Sequence, residues 1–253
     1  MIEIDDIHFS YRDENGTPLP VLNGVSLRIE PGEAVAVMGA NGSGKSTLAK
    51  CCNGLFLPGS GRVVVDGLDT ADEKSLPAIR RRVGMIFQNP DNQIVSTTVE
   101  REIAFGLENL GLPYEEMHAR VDEMLRRFDL HPFRLKSPHY LSGGEKQRLA
   151  LAAVLAMRPR YIILDEPTSL LDPQHRRQII DLLLGLHRER EIAWILVTQF
   201  PEEALLAERL IILEQGRLYR AGKPAEIFRE VDELLAIGLE PPLSFYLNHL
   251  AGS

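Results

Sequence analysis

The sequence has few cysteines and no long apolar segment, and each shortage excludes a class of protein. Its two cysteines, Cys51 and Cys52, are adjacent, whereas disulfide frameworks and zinc sites use spaced pairs. We therefore interpret both as small buried residues of a helix. The longest apolar run, LALAAVLAM at residues 149–157, is about half as long as a membrane-spanning helix requires. The sequence thus predicts neither a disulfide-rich secreted protein nor an integral membrane protein.

Positive charge is also in short supply. Lysine and arginine number 28 against 36 aspartates and glutamates, which gives a formal net charge of -8. The densest basic cluster, IRRRV at residues 79–83, is typical of a solvated helix face. This charge balance repels phosphate backbones, so no nucleic-acid partner is expected. The N-terminus lacks a basic segment followed by an apolar one, so no secretory signal is predicted and we expect a cytoplasmic chain.

Hydrophobic patterning predicts an α/β fold. Alternating apolar and polar residues in IEIDDIHFSY and VLNGVSLRIE predict an N-terminal antiparallel hairpin. EAVAVMG, YIILDEP and IAWILVTQ are short apolar runs that predict buried strands. In the second half these strands alternate with helical patterns such as PEEALLAERL, which predicts βαβ units and a mainly parallel sheet. Residues from about 91 to 157 have helical periodicity and predict a helical insertion. The tail carries two more short helical patterns, split by Pro241 and Pro242.

The stretch GANGSGKST matches the phosphate-binding pattern G-x-x-x-x-G-K-[ST], with a predicted strand before it and a predicted helix after it. Glycines let backbone N–H groups approach phosphates, and a helix N-terminus adds partial positive charge. Lys45 is expected to reach the β- and γ-phosphates, and the Ser46 hydroxyl to bind Mg²⁺. The loop therefore predicts ATP and Mg²⁺ as cofactors. Its predicted nucleotide-binding residues are Gly39, Ala40, Asn41, Gly42, Ser43, Gly44, Lys45, Ser46 and Thr47.

A second motif, YIILDEP, ends an apolar strand on two carboxylates. Such carboxylates are costly to bury without a cation or donors, so Asp165 is expected to hold Mg²⁺ through water. Glu166 is expected to orient and polarise the attacking water. The alternative, two solvated acids at a strand end, does not explain why the phosphate loop is also present. The two motifs together predict a nucleoside triphosphatase.

A third motif, LSGGEKQR, indicates which kind of triphosphatase this is. Ser142, Gly143 and Gly144 open a strongly helical stretch, so they form a second helix N-terminus with free backbone donors, a second anion site. If both anion sites faced one nucleotide in one chain, the insertion would have to fold back over its own loop. The simpler expectation is a sandwich dimer, in which each chain closes the ATP site of the other.

These motifs resemble the nucleotide-binding subunits of ATP-binding cassette (ABC) transporters, in the same order and over nearly the whole chain. The resemblance implies a P-loop ABC cassette over residues 1–223, with a helical subdomain at about 91–157 and a short helical extension at 224–253. It adds three predicted site residues. Tyr11 would stack on adenine or belong to the core, Gln88 of the Q-loop would serve metal and catalysis, and Asp172 would serve the D-loop, SLLD.

A narrower resemblance, to the ATPase subunits of energy-coupling factor importers of cobalt, nickel and vitamins, lies in IFQNPDNQIVSTTVEREIAFGLENLGLP and in IGLEPPLSFYLNHL. It implies a second ATPase subunit, a transmembrane coupling subunit, a substrate-binding membrane subunit and a place on the cytoplasmic face of the membrane. It also implies a groove for a coupling helix, formed by Asn89, Pro90, Asp91, Asn92 and Gln93. Asp91 would pair with an arginine of the partner or act as a helix cap or turn residue. The tail would help dimerise the subunits or dock on its own domain.

One position departs from the family pattern. The family places a histidine at the tip of the strand after Asp165 and Glu166, where its ring contacts the γ-phosphate, and this sequence has Gln199. A glutamine amide still offers N–H donors and a carbonyl acceptor, but it does not carry a proton near neutral pH. Gln199 would therefore be a functional substitute in an active site, or the chain would be the weaker member of a heterodimer.

Other function classes fit the sequence less well. A soluble cassette ATPase acting on DNA or ribosomes usually carries two cassettes, long coiled-coil insertions or zinc-binding cysteines, and this sequence has none of these. A small-molecule kinase has no use for LSGGE. The transported substrate and the choice between a homodimer and a heterodimer stay open at this point.

Overall fold

A computed structural model describes residues 1–190 and 192–252. Its strands are β1 (Ile2–Arg12), β2 (Pro18–Ile29), β3 (Ala34–Met38), β4 (Ser60–Val65), β5 (Leu68–Asp69), β6 (Val83–Ile86), β7 (Tyr161–Asp165), β8 (Ala193–Val197), β9 (Arg209–Glu214) and β10 (Arg217–Gly222). Its α-helices are α1 (Lys45–Cys52), α2 (Leu76–Arg82), α3 (Val99–Asn109), α4 (Tyr114–Arg127), α5 (Gly143–Ala156), α6 (Pro173–Arg190), α7 (Pro201–Ala204), α8 (Pro224–Ile227), α9 (Val231–Ala236) and α10 (Leu243–Gly252). Short 3-10 helices lie at Pro90–Asn92, His131–Phe133 and Pro138–Tyr140.

The larger sheet positions the predicted site. Its six strands run in the order β10-β9-β3-β8-β7-β6, and β3, β6, β7, β8 and β9 are parallel where they pair, whereas β10 is an antiparallel edge strand. The carboxyl ends of β3, β8 and β7 therefore meet at one edge of the sheet, where ligands bind in open α/β sheets. The phosphate loop, Gln199 and Glu166 follow these three strands.

The smaller sheet confirms the predicted N-terminal hairpin. Its order is β2-β1-β4-β5, and all its pairs are antiparallel. One apolar face of this sheet packs with α1 and one face of the parallel sheet in a single core cluster. Cys51 and Cys52 are buried in that cluster, as predicted from their spacing. Burial also raises the pKa of the Cys51 thiol to about 12, so it is a filler rather than a nucleophile.

The segment that follows β6 is helical. Helices α3, α4 and α5 share a second core cluster with the opposite face of the parallel sheet, including Trp194 and Leu196 of β8. Thr98 caps α3, and Ser142 caps α5. Apolar packing thus holds these helices on the sheet. Helix α5 begins at Gly143, inside the predicted signature motif.

Two local expectations differ from the structure. The helix expected over PEEALLAERL is wrong beyond its first turn, because α7 ends at Ala204 and β9 begins at Arg209. The apolar residues of β9 pair with β3, Ala36 with Leu210 and Val37 with Ile211, so strand pairing overrides the local helical pattern. The tail holds three short helices, α8, α9 and α10, where two patterns were expected, and its residue 253 lies outside the described residues.

Candidate nucleotide-binding site

The phosphate loop connects β3 to α1 through a backbone that only glycine permits at two points. Gly44, the residue before α1, has a φ of 99°, and a Cβ there would lie 2.9 Å from the Val21 carbonyl oxygen. At Gly39 a Cβ would lie 2.3 Å from the Leu213 carbonyl oxygen. The backbones of β2 and β9 therefore pack so closely against the loop that only glycine fits at these two positions.

Lys45 lies inside this loop. Its side chain is only 6% exposed, and its ammonium group donates to the carbonyl oxygens of Gly39 and Ala40 at 2.9 and 3.0 Å. Burial lowers the pKa of Lys45, while the charges of Glu166 and Asp165 act in the opposite direction. The loop thus holds a cation, close to two carboxylates, at the point where phosphates are expected.

Asp165 and Ser46 form an oxygen pair that suits Mg²⁺. The Ser46 hydroxyl donates to Asp165 Oδ1 at 2.7 Å, although the two residues are 119 positions apart. Asp165 is 6% exposed, and burial raises its pKa, while the hydrogen bond from Ser46 and the charges of Lys50 and Lys45 oppose that rise. Among the described residues no group of three or more His, Cys, Asp or Glu side chains could hold a metal. One carboxylate and one hydroxyl nevertheless fit Mg²⁺, which takes its remaining ligands from phosphates and water.

Glu166 lies at the tip of β7 in a backbone conformation that residues other than glycine rarely adopt. Its φ is 49°, and its N–H donates to the Val197 carbonyl oxygen of β8 at 2.9 Å. The amide of Gln88 donates to Glu166 Oε2 at 3.1 Å and to the Ser169 hydroxyl at 3.2 Å. Burial raises the pKa of Glu166, and the Lys45 charge opposes that rise. The structure therefore brings Gln88, Lys45, Asp165 and Glu166 together.

Gln199 occupies the tip of β8, between the phosphate loop and Glu166. β8 lies between β3 and β7, and Val197 pairs with Val37 on one side and with Asp165 on the other. The Gln199 side chain is exposed and makes no hydrogen bond within the part of the chain that the structure describes. It lines a cavity of about 730 Å³, shared with Phe200, Glu240 and Tyr246. The side chain is therefore free to turn toward a ligand.

The signature segment forms a well-capped helix start. The Ser142 hydroxyl accepts from the Glu145 N–H at 3.4 Å, and Glu145 Oε2 accepts from the Ser142 N–H at 2.7 Å, which makes a capping box. Ser142 and Gly143 are exposed, and a Cβ at Gly143 would meet nothing within 4 Å. No hydrogen bond in the described chain joins this helix start to its own phosphate loop. The capping box uses the N–H groups of Ser142 and Glu145, and those of Gly143 and Gly144 make no hydrogen bond in the described residues.

Asp172 immediately precedes α6, and His175 lies between it and the signature helix. Its carboxylate accepts from the N–H groups of Gln174 and His175 at 3.0 and 3.1 Å, and it pairs with the His175 ring at 2.5 Å. That ring lies so close to Gly144 that a Cβ there would be 2.7 Å from it. Asp172 and Gly144 are thus linked through His175.

Tyr11 lies over the start of α1. Its hydroxyl is 3.2 Å from the Thr47 hydroxyl, and its ring meets the rings of Phe9 and Phe56 edge to face. It is still 40% exposed. The ring is therefore supported on one side and open on the other, as an adenine platform requires.

The segment after Gln88, residues 89–93, makes a contact that sequence reasoning missed. Asn89, not Asp91, caps the 3-10 helix, because its side chain accepts from the Asp91 N–H at 2.9 Å. The Asp91 carboxylate pairs with Lys146 of α5 at 2.7 Å. Asp91 and Lys146 are 55 positions apart, and no spacing rule connects them. The segment after Gln88 is thus tied to α5.

A glycine-rich loop that encloses a buried lysine, with a serine-bound aspartate and a glutamate at the same sheet edge, defines a P-loop nucleoside triphosphatase. Comparison with known proteins gives its family. Residues 22–169 match the family model for the ABC transporter. The energy-coupling factor transporter ATP-binding protein EcfA1 of Symbiobacterium thermophilum is 47% identical over 245 residues, 95% of this chain and 85% of that protein. The chain therefore belongs to the ABC transporter family of ATPases and, within it, to the ATP-binding proteins of energy-coupling factor transporters.

Solved structures confirm the predicted cassette fold. The structure of cbiO1 from Clostridium perfringens, part of the ABC transporter complex cbiONQ, matches with a TM-score of 0.81 at 34% identity and covers 98% of both chains. A dimeric ATP-binding cassette in a post-hydrolysis state, bound to ADP and Pi, also gives 0.81 at 32% identity, over 88% of this chain and 99% of that one. The sheet order and the helical segment described above are those of an ABC cassette.

Proposed function

We propose that this chain hydrolyses Mg-ATP in a dimer and thereby drives an energy-coupling factor importer through membrane partners. One observation carries the proposal. Lys45, Asp165, Glu166 and Gln88 form one cluster at the sheet edge. At the exposed start of α5 the capping box uses the N–H groups of Ser142 and Glu145 and leaves those of Gly143 and Gly144 without a hydrogen bond in the described residues. One half of an ATP site is therefore assembled within the chain, and the other half points away from it.

In this proposal Glu166 is the general base. A water held by Glu166 gives up a proton to the carboxylate as its oxygen attacks the γ-phosphorus, and the bond from that phosphorus to the ADP oxygen breaks. The Gln88 amide keeps Glu166 oriented through the 3.1 Å hydrogen bond. Lys45 and the loop N–H groups hold the β- and γ-phosphates, and the Gln199 amide donates to a γ-phosphate oxygen.

Mg²⁺ would be held by the Ser46 hydroxyl, by Asp165 through water and by Gln88. When bound, it supplies positive charge to the β- and γ-phosphates. The geometry supports this assignment, because the buried Asp165 carboxylate accepts from the Ser46 hydroxyl at 2.7 Å and forms no salt bridge within the described residues.

The second half of the site would come from another cassette chain, in the first place a copy of this one. Its Ser142, Gly143 and Gly144 would present N–H groups and helix-dipole charge to the γ-phosphate. Asp172, placed beside that helix start by His175, would lie at the same interface. The dimeric cassette bound to ADP and Pi that this chain matches supports a dimer of this kind.

Membrane partners would be reached through the groove at residues 89–93. A transmembrane coupling subunit would insert a helix there, and a substrate-binding membrane subunit would supply the cargo, a metal ion or a vitamin. Asp91 would receive an arginine of the coupling subunit in competition with Lys146, to which it is bound at 2.7 Å. No helix in the described residues is long and apolar enough to cross a membrane. We place the chain peripherally, at the cytoplasmic face, because its relatives are ATP-binding proteins of energy-coupling factor transporters.

A second candidate function rests on Gln199. The family places a histidine at this position, and a glutamine amide carries no proton near neutral pH, so in this candidate the chain is the weakly catalytic member of a heterodimer. Hydrolysis would then be led by a related chain with histidine at this position.

The proposal is tested by the ATPase rate of Glu166→Gln in the purified chain. The matched control is the same substitution at an exposed glutamate, Glu202→Gln. Near-complete loss in the first variant and a normal rate in the second are expected. A Glu166→Gln variant that hydrolyses ATP at the normal rate would remove Glu166 as the base.

A further inference from the structure

A further buried carboxylate, Glu203, contacts the segments that follow β7 and β8 and has no part in the proposed function. It is 4% exposed and lies on the short helix α7. Its two oxygens accept from two threonine hydroxyls, Oε1 from Thr168 at 2.7 Å and Oε2 from Thr198 at 2.5 Å. Burying a carboxylate this deeply costs free energy unless hydrogen-bond donors compensate it. Here each of its two oxygens has a donor.

The two threonines belong to two different catalytic segments. Thr168 lies two residues after Glu166, on the segment that leads to Asp172, and Thr198 immediately precedes Gln199. The Thr198 hydroxyl also accepts from the Phe200 N–H at 3.0 Å. The residues before and after Gln199 are therefore both fixed, while the Gln199 side chain itself is exposed.

Arg176 of α6 closes the same network from the other side. Its guanidinium lies over the Phe200 ring, 3.6 Å from the centroid, and its Nε is 4.0 Å from Glu203 Oε1. Its terminal nitrogen is also 3.5 Å from the Leu171 carbonyl oxygen. Glu203 and Arg176 thus bind the segment after Glu166 to the segment that carries Gln199.

We propose that Glu203 is a positioning residue for ATP hydrolysis, which holds Gln199 at a fixed place beside Glu166 through Thr198 and Thr168. This inference rests on the proposed role of Gln199. The side chain of Gln199 has no other support in the described residues, so its placement depends on the backbone on either side of it. A misplacement of about 1 Å at a group that contacts the reacting phosphate costs roughly 100-fold in rate at most.

The first test is Glu203→Gln, which keeps the shape of the side chain but turns an NH₂ group toward one of the two hydroxyls. We expect kcat to fall roughly tenfold, while KM for ATP changes less than about twofold because the phosphate loop is untouched. Glu202→Gln, the exposed adjacent acid, is the matched control and should retain the normal kcat. A normal kcat in Glu203→Gln overturns the proposal.

The second test separates positioning from a merely structural role. In the background of Gln199→Ala, Glu203→Gln should lower kcat by less than about twofold, because the group that it positions is already absent. If the roughly tenfold loss persists in that background, Glu203 does not act through Gln199 and the proposal is overturned. Glu166→Gln in the same assay tests the proposed function separately, since normal hydrolysis there sinks that function whatever Glu203→Gln does.

A third comparison applies if Glu203→Gln does not fold. Thr198→Val removes the hydroxyl at nearly constant shape, and Thr198→Ser keeps it. We expect Thr198→Val to lower kcat roughly tenfold and Thr198→Ser to stay within about twofold of the unmodified chain. Equal rates in the two variants contradict the proposal.

Discussion

The tips of β7 and β8 lie side by side in one sheet, yet they are built differently. At the tip of β7, Asp165 and Glu166 are already held by Ser46 and Gln88 through hydrogen bonds of 2.7 and 3.1 Å. At the tip of β8, Thr198 is buried and bound, but the side chain of Gln199 is exposed and has no partner in the described residues. In the proposed mechanism, the base Glu166 is therefore already oriented by Gln88, whereas Gln199 forms its contact only when the γ-phosphate binds.

The same contrast holds between the two anion sites. The phosphate loop is closed from behind by β2 and β9 and encloses its lysine, whereas the start of α5 is exposed at Ser142 and Gly143. A complete ATP site would join a closed half to an open half. The predictions below change one side of this comparison at a time.

The largest effect is expected at the tip of β7. Glu166→Gln removes the proton acceptor, and we expect kcat to fall about 10²- to 10⁴-fold, with ATP affinity nearly unchanged. Steady-state phosphate release measures the rate, and equilibrium binding of a fluorescent ATP analogue measures the affinity. A variant that loses binding and rate equally would place Glu166 in binding rather than in proton transfer.

The next largest effect is expected in the closed phosphate loop. Lys45→Ala removes a buried cation, and hydrogen bonds to charged groups contribute about 1.5–3 kcal/mol, so ATP affinity should fall roughly 10- to 100-fold. Binding of the same analogue measures this change. Lys74→Ala, at an exposed position, is the control, and an equal loss there would show that the effect is one of net charge alone.

A smaller effect is expected at the tip of β8. Gln199→Ala removes one amide donor to phosphate, so kcat should fall roughly tenfold. Gln199→His should preserve or raise kcat, because imidazole offers an N–H donor at the same strand tip. An unchanged rate in Gln199→Ala would contradict any chemical role of the amide. It would favour the second candidate function, in which this chain is the weakly catalytic member of a heterodimer.

The pH dependence of kcat should also distinguish the two tips. Burial raises the pKa of Glu166, and the base accepts a proton only when it is deprotonated. We therefore expect kcat to fall as the pH decreases through this raised pKa, at a higher pH than for an ordinary glutamate. Gln199 carries no proton in this range, whereas Gln199→His should add a second step near about 6.5. A step near that pH in the unmodified chain would contradict this account.

The smallest effect is expected at the cap of the open half. Ser142→Ala removes the hydroxyl that caps α5 and should lower the free energy of unfolding by about 1 kcal/mol, measured by urea denaturation. Ser137→Ala is the matched control, since the Ser137 side chain makes no capping hydrogen bond to the 3-10 helix that follows it. Equal losses in the two variants would show that the capping box contributes nothing specific.

The sequence predicts those parts of the site that lie in continuous motifs. Lys45, Ser46, Asp165 and Glu166 follow short buried strands, and strand ends at one sheet edge meet by topology. Glu203 escapes this reasoning, because its partners lie 35 and 5 positions away and threonine and glutamate at those spacings follow no pattern. The start of strand β9 was also mispredicted, because PEEALLAERL has a helical pattern. Pairing with β3, rather than local propensity, stabilises β9.

The link between Asp91 and Lys146 shows a further limit of sequence reasoning. Asp91 follows Pro90 and was expected to pair with a partner or act as a cap or turn residue, yet Asn89 caps the turn and Asp91 contacts α5. That contact forms only once helix α5 packs beside the 3-10 helix. Tertiary packing decides such pairs, and their physical basis is visible only in the fold.

The central claim is that each ATP is shared between two chains, and complementation tests it most directly. Glu166→Gln inactivates the closed half, and Gly143→Asp inactivates the open half by placing a carboxylate where the γ-phosphate would bind. A Cβ at Gly143 meets nothing within 4 Å, so the second variant is expected to fold. Each variant alone should be nearly inactive. An equal mixture should recover roughly a quarter of the unmodified rate, because half of the randomly formed dimers carry one intact site of two. A mixture no more active than either variant alone would contradict a site shared between two copies of this chain.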